Sequence, residues 1–361
     1  MAAYLGIDVS KATLDVALLR HEHTKSRHRV FPNTPSGHQQ LVAWLNTMSD
    51  EPVHACLEST GTYGEAVALT LHQAKHLVSV VNPALIRAFG QSELSRTKTD
   101  KADAQRIARF CRTHQPPAWS PPAPELRELQ ALVRRLEALD QMQRMEQNRL
   151  DTGVESPTVH AQLQEHVAYL QGQMEAVRQM IRSHIDQNPT LKSQRDLLTS
   201  IPGIAETTAA LILAELGQAK RFQNARQVAA FAGLVPRLRQ SGTSVPGTSV
   251  PGTSVPGTSV PGRSMLSKMG SSRLRKALFF PAKALFFPAK ALFFPAKALF
   301  FPAMSALKWN PLLKALGERL QAQGKSKMLI VGAAMRKLLH LCFGVLKSGQ
   351  PFNPNFTASN S

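Results

Sequence analysis

The first third of the chain alternates short apolar runs with amphipathic stretches. Tyr4 to Val9, Thr13 to Leu19, Val53 to Leu57 and Leu77 to Val81 read as strands, and Tyr63 to His76 reads as a helix. That alternation predicts an α/β domain over residues 1–115, with enough apolar side chains for a core of its own. A proline cluster at 116–124 cannot continue a helix or a central strand and predicts a linker. Beyond it the apolar period becomes helical. Leu126, Leu129, Val133, Leu136 and Leu139 recur by threes and fours, and after a break at Thr152 to Pro157 the stripe resumes from Val159 through Leu170 and Ile181 to Ile185. Two long amphipathic helices over 125–188 predict an antiparallel hairpin or an oligomerising coiled coil. A mainly helical region over 189–350 and a disordered tail over 351–361 complete the chain. The fold class is therefore α/β plus α.

Within that pattern, four acids stand out. Asp8 closes the first strand, Glu58 closes the strand from Val53, and Asp100 and Asp103 lie three apart at a helix start, in the run Lys98 to Asp103. A carboxylate at the end of a buried strand must be paired or must hold a cation. Acids three apart share one helix face, where a divalent ion would relieve their repulsion. Hard oxygen donors favour Mg2+ or Mn2+, and paired ions are a common device for in-line attack at phosphate. Taken separately, Asp100 and Asp103 are also what a solvated helix N-terminus prefers. The order strand-acid, strand-acid, helix-acid-acid favours the metal reading.

Charge adds a partner. Lys and Arg total 43 against 24 Asp and Glu, giving a net charge of +19 over 361 residues. That excess is an electrostatic footprint for nucleic acid. No apolar stretch reads as long enough to span a bilayer and no signal peptide is evident, so no membrane partner is expected and a soluble, intracellular protein is. Cys56, Cys111 and Cys342 are isolated in apolar contexts, and the twelve His form no zinc pattern.

The second half carries its own nucleic-acid signals. Leu197 to Ile204, followed by Thr207 to Leu216, has the form helix, Pro-Gly turn, helix, similar to a helix-hairpin-helix element that offers backbone N–H groups to phosphate. Basic segments follow at Arg237 to Arg239 and at Arg263 to Arg275, with Ser241 between them. The candidate nucleic-acid contacts are Lys98, Lys101, Gly203, Arg237, Arg239, Lys268, Arg273 and Arg275. For the basic helical run Lys325 to Lys347, packing with its charges outward is the preferred reading.

In order along the chain stand Gly6-Ile7-Asp8-Val9-Ser10-Lys11, Glu58-Ser59-Thr60-Gly61, Arg96 to Ala104, Ile201-Pro202-Gly203-Ile204, Ala232-Gly233-Leu234-Val235-Pro236, Ser241-Gly242 and Ser267-Lys268-Met269-Gly270. This set resembles the transposases of IS110 and IS1111 type insertion sequences over nearly the whole chain. The resemblance implies an N-terminal RuvC-like, ribonuclease H type domain whose four acids bind Mg2+, here Asp8, Glu58, Asp100 and Asp103. It further implies a C-terminal domain whose serine, here Ser241, attacks DNA and forms a covalent intermediate. A homo-oligomer, dimer or tetramer, would bring the acids of one protomer to the serine of another. Some members pair target and donor DNA through a guide RNA encoded by the element. No nucleotide is required, and no P-loop is present.

The chain departs from that pattern in two places. Gly-Thr-Ser-Val-Pro is repeated four times over 242–261, and Lys-Ala-Leu-Phe-Phe-Pro-Ala four times over 276–303. Both units are too short for a solenoid and both arrays preserve frame, as tandem duplication would. The first array reads as a flexible tether beside Ser241. The second puts recurrent prolines into a helical region, at about 3 kcal/mol for each interior one, and this copy is expected to be impaired. Two other function classes compete: a noncatalytic nucleic-acid-binding protein, and an actin-like ATPase suggested by Gly6 to Ser10, for which no further phosphate or adenosine motif is found.

Overall fold

Threonine, serine or asparagine followed by proline opens helix after helix in this chain. The computed structural model describes residues 3–20, 25–59, 61, 63–93, 99–217, 222–237, 265–267, 270–284 and 310–354. All four Gly-Thr-Ser-Val-Pro copies and most of the second array lie outside them, as does most of the tail. Six of the described helices carry proline in their first turn: α1 (Pro35–Met48), α3 (Pro83–Ser92), α5 (Pro124–Asp151), α6 (Pro157–Gln187), α7 (Pro189–Thr199) and α11 (Pro311–Ala322). In all but α5 the residue before that proline caps the helix through its side chain, from Thr34, Asn82, Ser156, Asn188 and Asn310. Proline supplies the helical φ without sacrificing a bonded N–H, and the cap satisfies an orphan donor.

The chain divides into two compact units, 1–121 and 122–361. The first is a five-stranded sheet in the order β3-β2-β1-β4-β5, from β1 (Ala3–Val9), β2 (Thr13–Arg20), β3 (Arg27–Pro32), β4 (His54–Glu58) and β5 (Leu77–Val81). Strands β1, β2 and β3 are antiparallel neighbours, whereas β4 and β5 run parallel to β1. The sequence pattern misses β3 and α1. The edge strand carries Arg27 and Arg29 exposed and buries only Phe31, so it shows no apolar run. One face of the sheet, with Leu5, Ile7, Val16, Leu18, Ala55 and Leu57, packs with α1 residues Leu41 and Leu45 and with Val67 and Leu71 of α2 (Glu65–Gln73). The other face, with Tyr4, Ala17, Leu19 and Cys56, receives α4 (Asp100–His114) through Ala104, Ile107, Ala108 and Cys111.

The proline segment after α4 lies on this unit. Trp119 donates its backbone N–H to Val78 at 2.7 Å and packs against the first core, and Ser79 Oγ bonds to the carbonyls of Pro116 and Pro117 at 2.9 Å.

The second unit is helical. The long pair α5 and α6 packs along Leu129, Val133, Leu139, Leu170, Met174, Val177 and Ile181, with α5 starting at the last residue of the proline cluster and α6 at Pro157. The same core continues through α7, α8 (Glu206–Leu216), α9 (Ala225–Phe231), α10 (Ser272–Ala284), α11 and α12 (Lys327–Ser348). Helix α10 runs through Pro281 of the first heptad copy. A two-stranded ladder, β6 (Pro236–Arg237) with β7 (Met265–Leu266), closes the chain on either side of 238–264. One sequence expectation is corrected here. Leu329–Ser348 in α12 is by length and composition apolar enough to cross a membrane. Its apolar stripe, including Val331, Leu338, Leu339 and Cys342, is buried in the core of this unit, with Lys337 and Lys347 outward.

Candidate metal centre

The site is built on a glycine. A Cβ at Gly6 would lie 2.1 Å from the Ala104 carbonyl oxygen and 2.3 Å from the Ala108 nitrogen, so α4 crosses β1 at a distance only glycine allows. Asp103 precedes Ala104 and Asp100 lies one turn before it, while Asp8 follows Gly6 by two residues on the same sheet face. In the parallel register Ile7 pairs with Leu57, which sets Glu58 beside Asp8 on the face that α4 covers. Thr99 caps α4 by accepting from the Ala102 N–H at 3.2 Å, fixing the turn that bears both aspartates.

Electrostatics report the same convergence. Asp8 is pushed up from 3.8 to about 6, first by burial, then by the charges of Asp103, Asp100 and Asp15, against one backbone hydrogen bond at Val9. Glu58 is also raised, by burial and then by Asp8 and Asp103, with Arg87 and Arg106 pulling the other way. Asp103 is ion-paired with Arg106, whose guanidinium lies against Gly90. Among the described residues no three acid, His or Cys side chains already meet at ligating distance. The donor set is nonetheless all carboxylate and mutually repelling, with Asp8, Glu58 and Asp103 partly buried and Asp100 exposed, which suits a hard divalent cation that would keep part of its water shell. Asp8, Glu58, Asp100 and Asp103 are the residues that would hold it.

Two residues on this face escape sequence reasoning. Asp15 lies directly opposite Asp8 in the β1/β2 register, and its Oδ1 is 2.8 Å from His28 Nε2 on β3. The signal was available, because Asp8 and Asp15 are equidistant from a turn in which Ser10 Oγ accepts from the Thr13 N–H.

In the second unit, Gly203 adopts φ +101° in the turn between α7 and α8. The amide of Asn310 donates to Pro202 at 3.4 Å, and Ser200 Oγ accepts from the Phe352 N–H at 2.8 Å, so that turn is tied down. Glu206 occupies the first turn of α8 and pairs with Arg182 at 3.4 Å. Arg273 pairs with Glu137 at 2.9 Å and Glu215 at 3.6 Å, and Arg275 donates to the carbonyls of Ala232 and Gly270. Arg275 therefore joins the two segments Ala232 to Pro236 and Ser267 to Gly270, which the Ser271 N–H to Phe231 carbonyl bond also links, at 2.9 Å. Lys101 is exposed on α4, and the backbone of Arg237 lies in β6. Ser241, Lys98, Arg239 and Lys268 lie outside the described residues.

Comparison with known proteins gives this geometry a family. A transposase model of the IS110 DEDD type matches residues 5–156, and a model described as transposase IS116/IS110/IS902 family matches residues 195–250. The chain is 31% identical to the pilin gene-inverting protein of Moraxella bovis and 30% identical to that of Moraxella lacunata, over 97% of each chain. It is 27% identical to the transposase for insertion sequence element IS1328 of Yersinia enterocolitica, over 66% of this chain and 75% of that one. The chain belongs to the IS110 family of transposases.

Proposed function

We propose that this protein cuts and rejoins DNA, with Asp8, Glu58, Asp100 and Asp103 holding Mg2+ or Mn2+ and Ser241 as nucleophile. The observation that carries the reading is the crossing of α4 over Gly6, which gathers the ends of β1, β4 and α4 at one place. A divalent cation bound there would neutralise phosphate charge and favour ionisation of a nearby hydroxyl. Ser241 would attack phosphorus through Oγ, its proton passing to an acceptor in the site, while the departing DNA oxygen leaves as a hydroxyl. The phosphodiester energy stays in the serine ester, so a second DNA hydroxyl can reverse the step without nucleotide. The Moraxella relatives, named for pilin gene inversion, and the Yersinia relative, named for transposition, support strand exchange as the outcome.

Ser241 belongs to the second unit by sequence and the acids to the first. A homo-oligomer, dimer or tetramer, assembled through α5 and α6 would supply the serine of one protomer to the acids of another. Met142, Met145 and Tyr169 are exposed on those helices, which supports such a contact. An element-encoded guide RNA is the proposed source of sequence choice, with the net charge of +19 serving nucleic-acid backbones. The arrays at 242–261 and 276–303 are proposed to impair this copy. Recombination of a plasmid carrying the element ends tests the reading, comparing the full chain with one in which each array is reduced to a single unit. Recovery of recombinants only with the shortened chain supports impairment, and equal activity contradicts it.

A further inference from the structure

We propose that Asp15, oriented by His28, is a fifth carboxylate of the cation site, acting on the bound ion through its water shell. The inference rests on the metal reading above. Asp15 and Asp8 are cross-strand partners, so their side chains emerge on the same sheet face, the one that α4 covers. Asp15 is one of the three carboxylates whose charge is felt at Asp8. Its side chain is only 14% exposed, and Oδ1 is held at 2.8 Å by His28 Nε2, whose side chain is 20% exposed. A carboxylate this enclosed is held by the imidazole, while the register keeps it next to Asp8 on the sheet face that α4 covers.

Strand order decides between direct and indirect contact. The sheet runs β2-β1-β4, so Asp15 and Glu58 flank Asp8 from opposite sides. Their backbones are two strand spacings apart, about 10 Å. An ion bound at about 2.1 Å by Asp8 and Glu58 is beyond the direct reach of so short a side chain as Asp15. With Oδ1 held by His28 and its strand next to that of Asp8, Asp15 has its second carboxylate oxygen to offer to a water on the ion. Such outer-shell partners orient the ligands and tune affinity. Asp15 and His28 are thus positioning residues rather than catalytic ones.

The test is a Mn2+ titration of the full chain, followed by the electron paramagnetic resonance of free Mn2+, with unfolding in chelator as a control. Asp15→Asn keeps an acceptor for His28 and removes the charge, and is expected to weaken Mn2+ binding about tenfold without lowering the unfolding midpoint. His28→Gln retains a donor and is expected to stay within about twofold of the parent. Parent affinity in Asp15→Asn, or loss of its folding in chelator, would make the pair purely structural and overturn the proposal. No Mn2+ binding by the parent chain would overturn the four-acid reading itself, and this inference with it.

Discussion

Asp8 bears the electrostatic strain of the site. In chelator its carboxyl holds a proton up to about 6, whereas an ordinary aspartate releases it at 3.8. Over that window the folded chain binds a proton the unfolded chain has lost, so this group's contribution to stability falls as pH rises from 3.8 to about 6. Asp8→Asn removes that dependence. It is expected to stabilise the metal-free protein at neutral pH by about 1 kcal/mol, after the half-exposed position is discounted for screening, while abolishing DNA cleavage. Urea unfolding at pH 4 and pH 7 with chelator checks the first effect. Gly6→Ala acts oppositely: its Cβ meets the Ala104 carbonyl at 2.1 Å. The expected loss, by the same urea unfolding, is about 3 kcal/mol. At this scale the places of the four acids on β1, β4 and α4 were legible because each ends an apolar run or opens a helix. Asp15 escapes sequence reasoning, because a polar residue inside a strand reads as ordinary alternation unless its place across the Ser10 to Thr13 turn from Asp8 is counted.

Helix α4 is the element on which the site depends, since it carries two acids and the surface that meets β1. Thr99 caps it. Thr99→Ala is expected to lower stability by about 1 kcal/mol and to weaken Mn2+ binding in the same titration, whereas Thr99→Ser restores both. The long helices were legible from their apolar stripes, whereas their starts at Pro124 and Pro157 fall where the sequence reads as linker and break. Strand β3 was not, because an edge strand with Arg27 and Arg29 hides its one buried residue, Phe31. The apolar length of α12 also escaped notice, because Arg336, Lys337 and His340 punctuate a helix whose other faces are core. Local sequence marks where an element begins more readily than what its charges face.

At the scale of the molecule, each of the two units has its own hydrophobic core. Residues 1–121, produced alone, are expected to unfold in one cooperative step by circular dichroism, since the docked Trp119 segment completes that core. The family was legible end to end because its short motifs survive in order, and 97% of the chain aligns with the Moraxella relatives. The contact between Ala232 to Pro236 and Ser267 to Gly270 was not legible, since it brings together segments separated by 238–264. The proposed function requires acids and serine to act on one DNA bond. The most direct measurement is a denaturing gel for covalent protein-DNA adduct, using labelled element-junction DNA, RNA from the element's noncoding flank, Mg2+, and the chain with each array reduced to one unit. The account predicts an adduct that disappears in Ser241→Ala, in Asp100→Asn and in chelator. An adduct that persists in Ser241→Ala, or none from the unsubstituted chain, would contradict it.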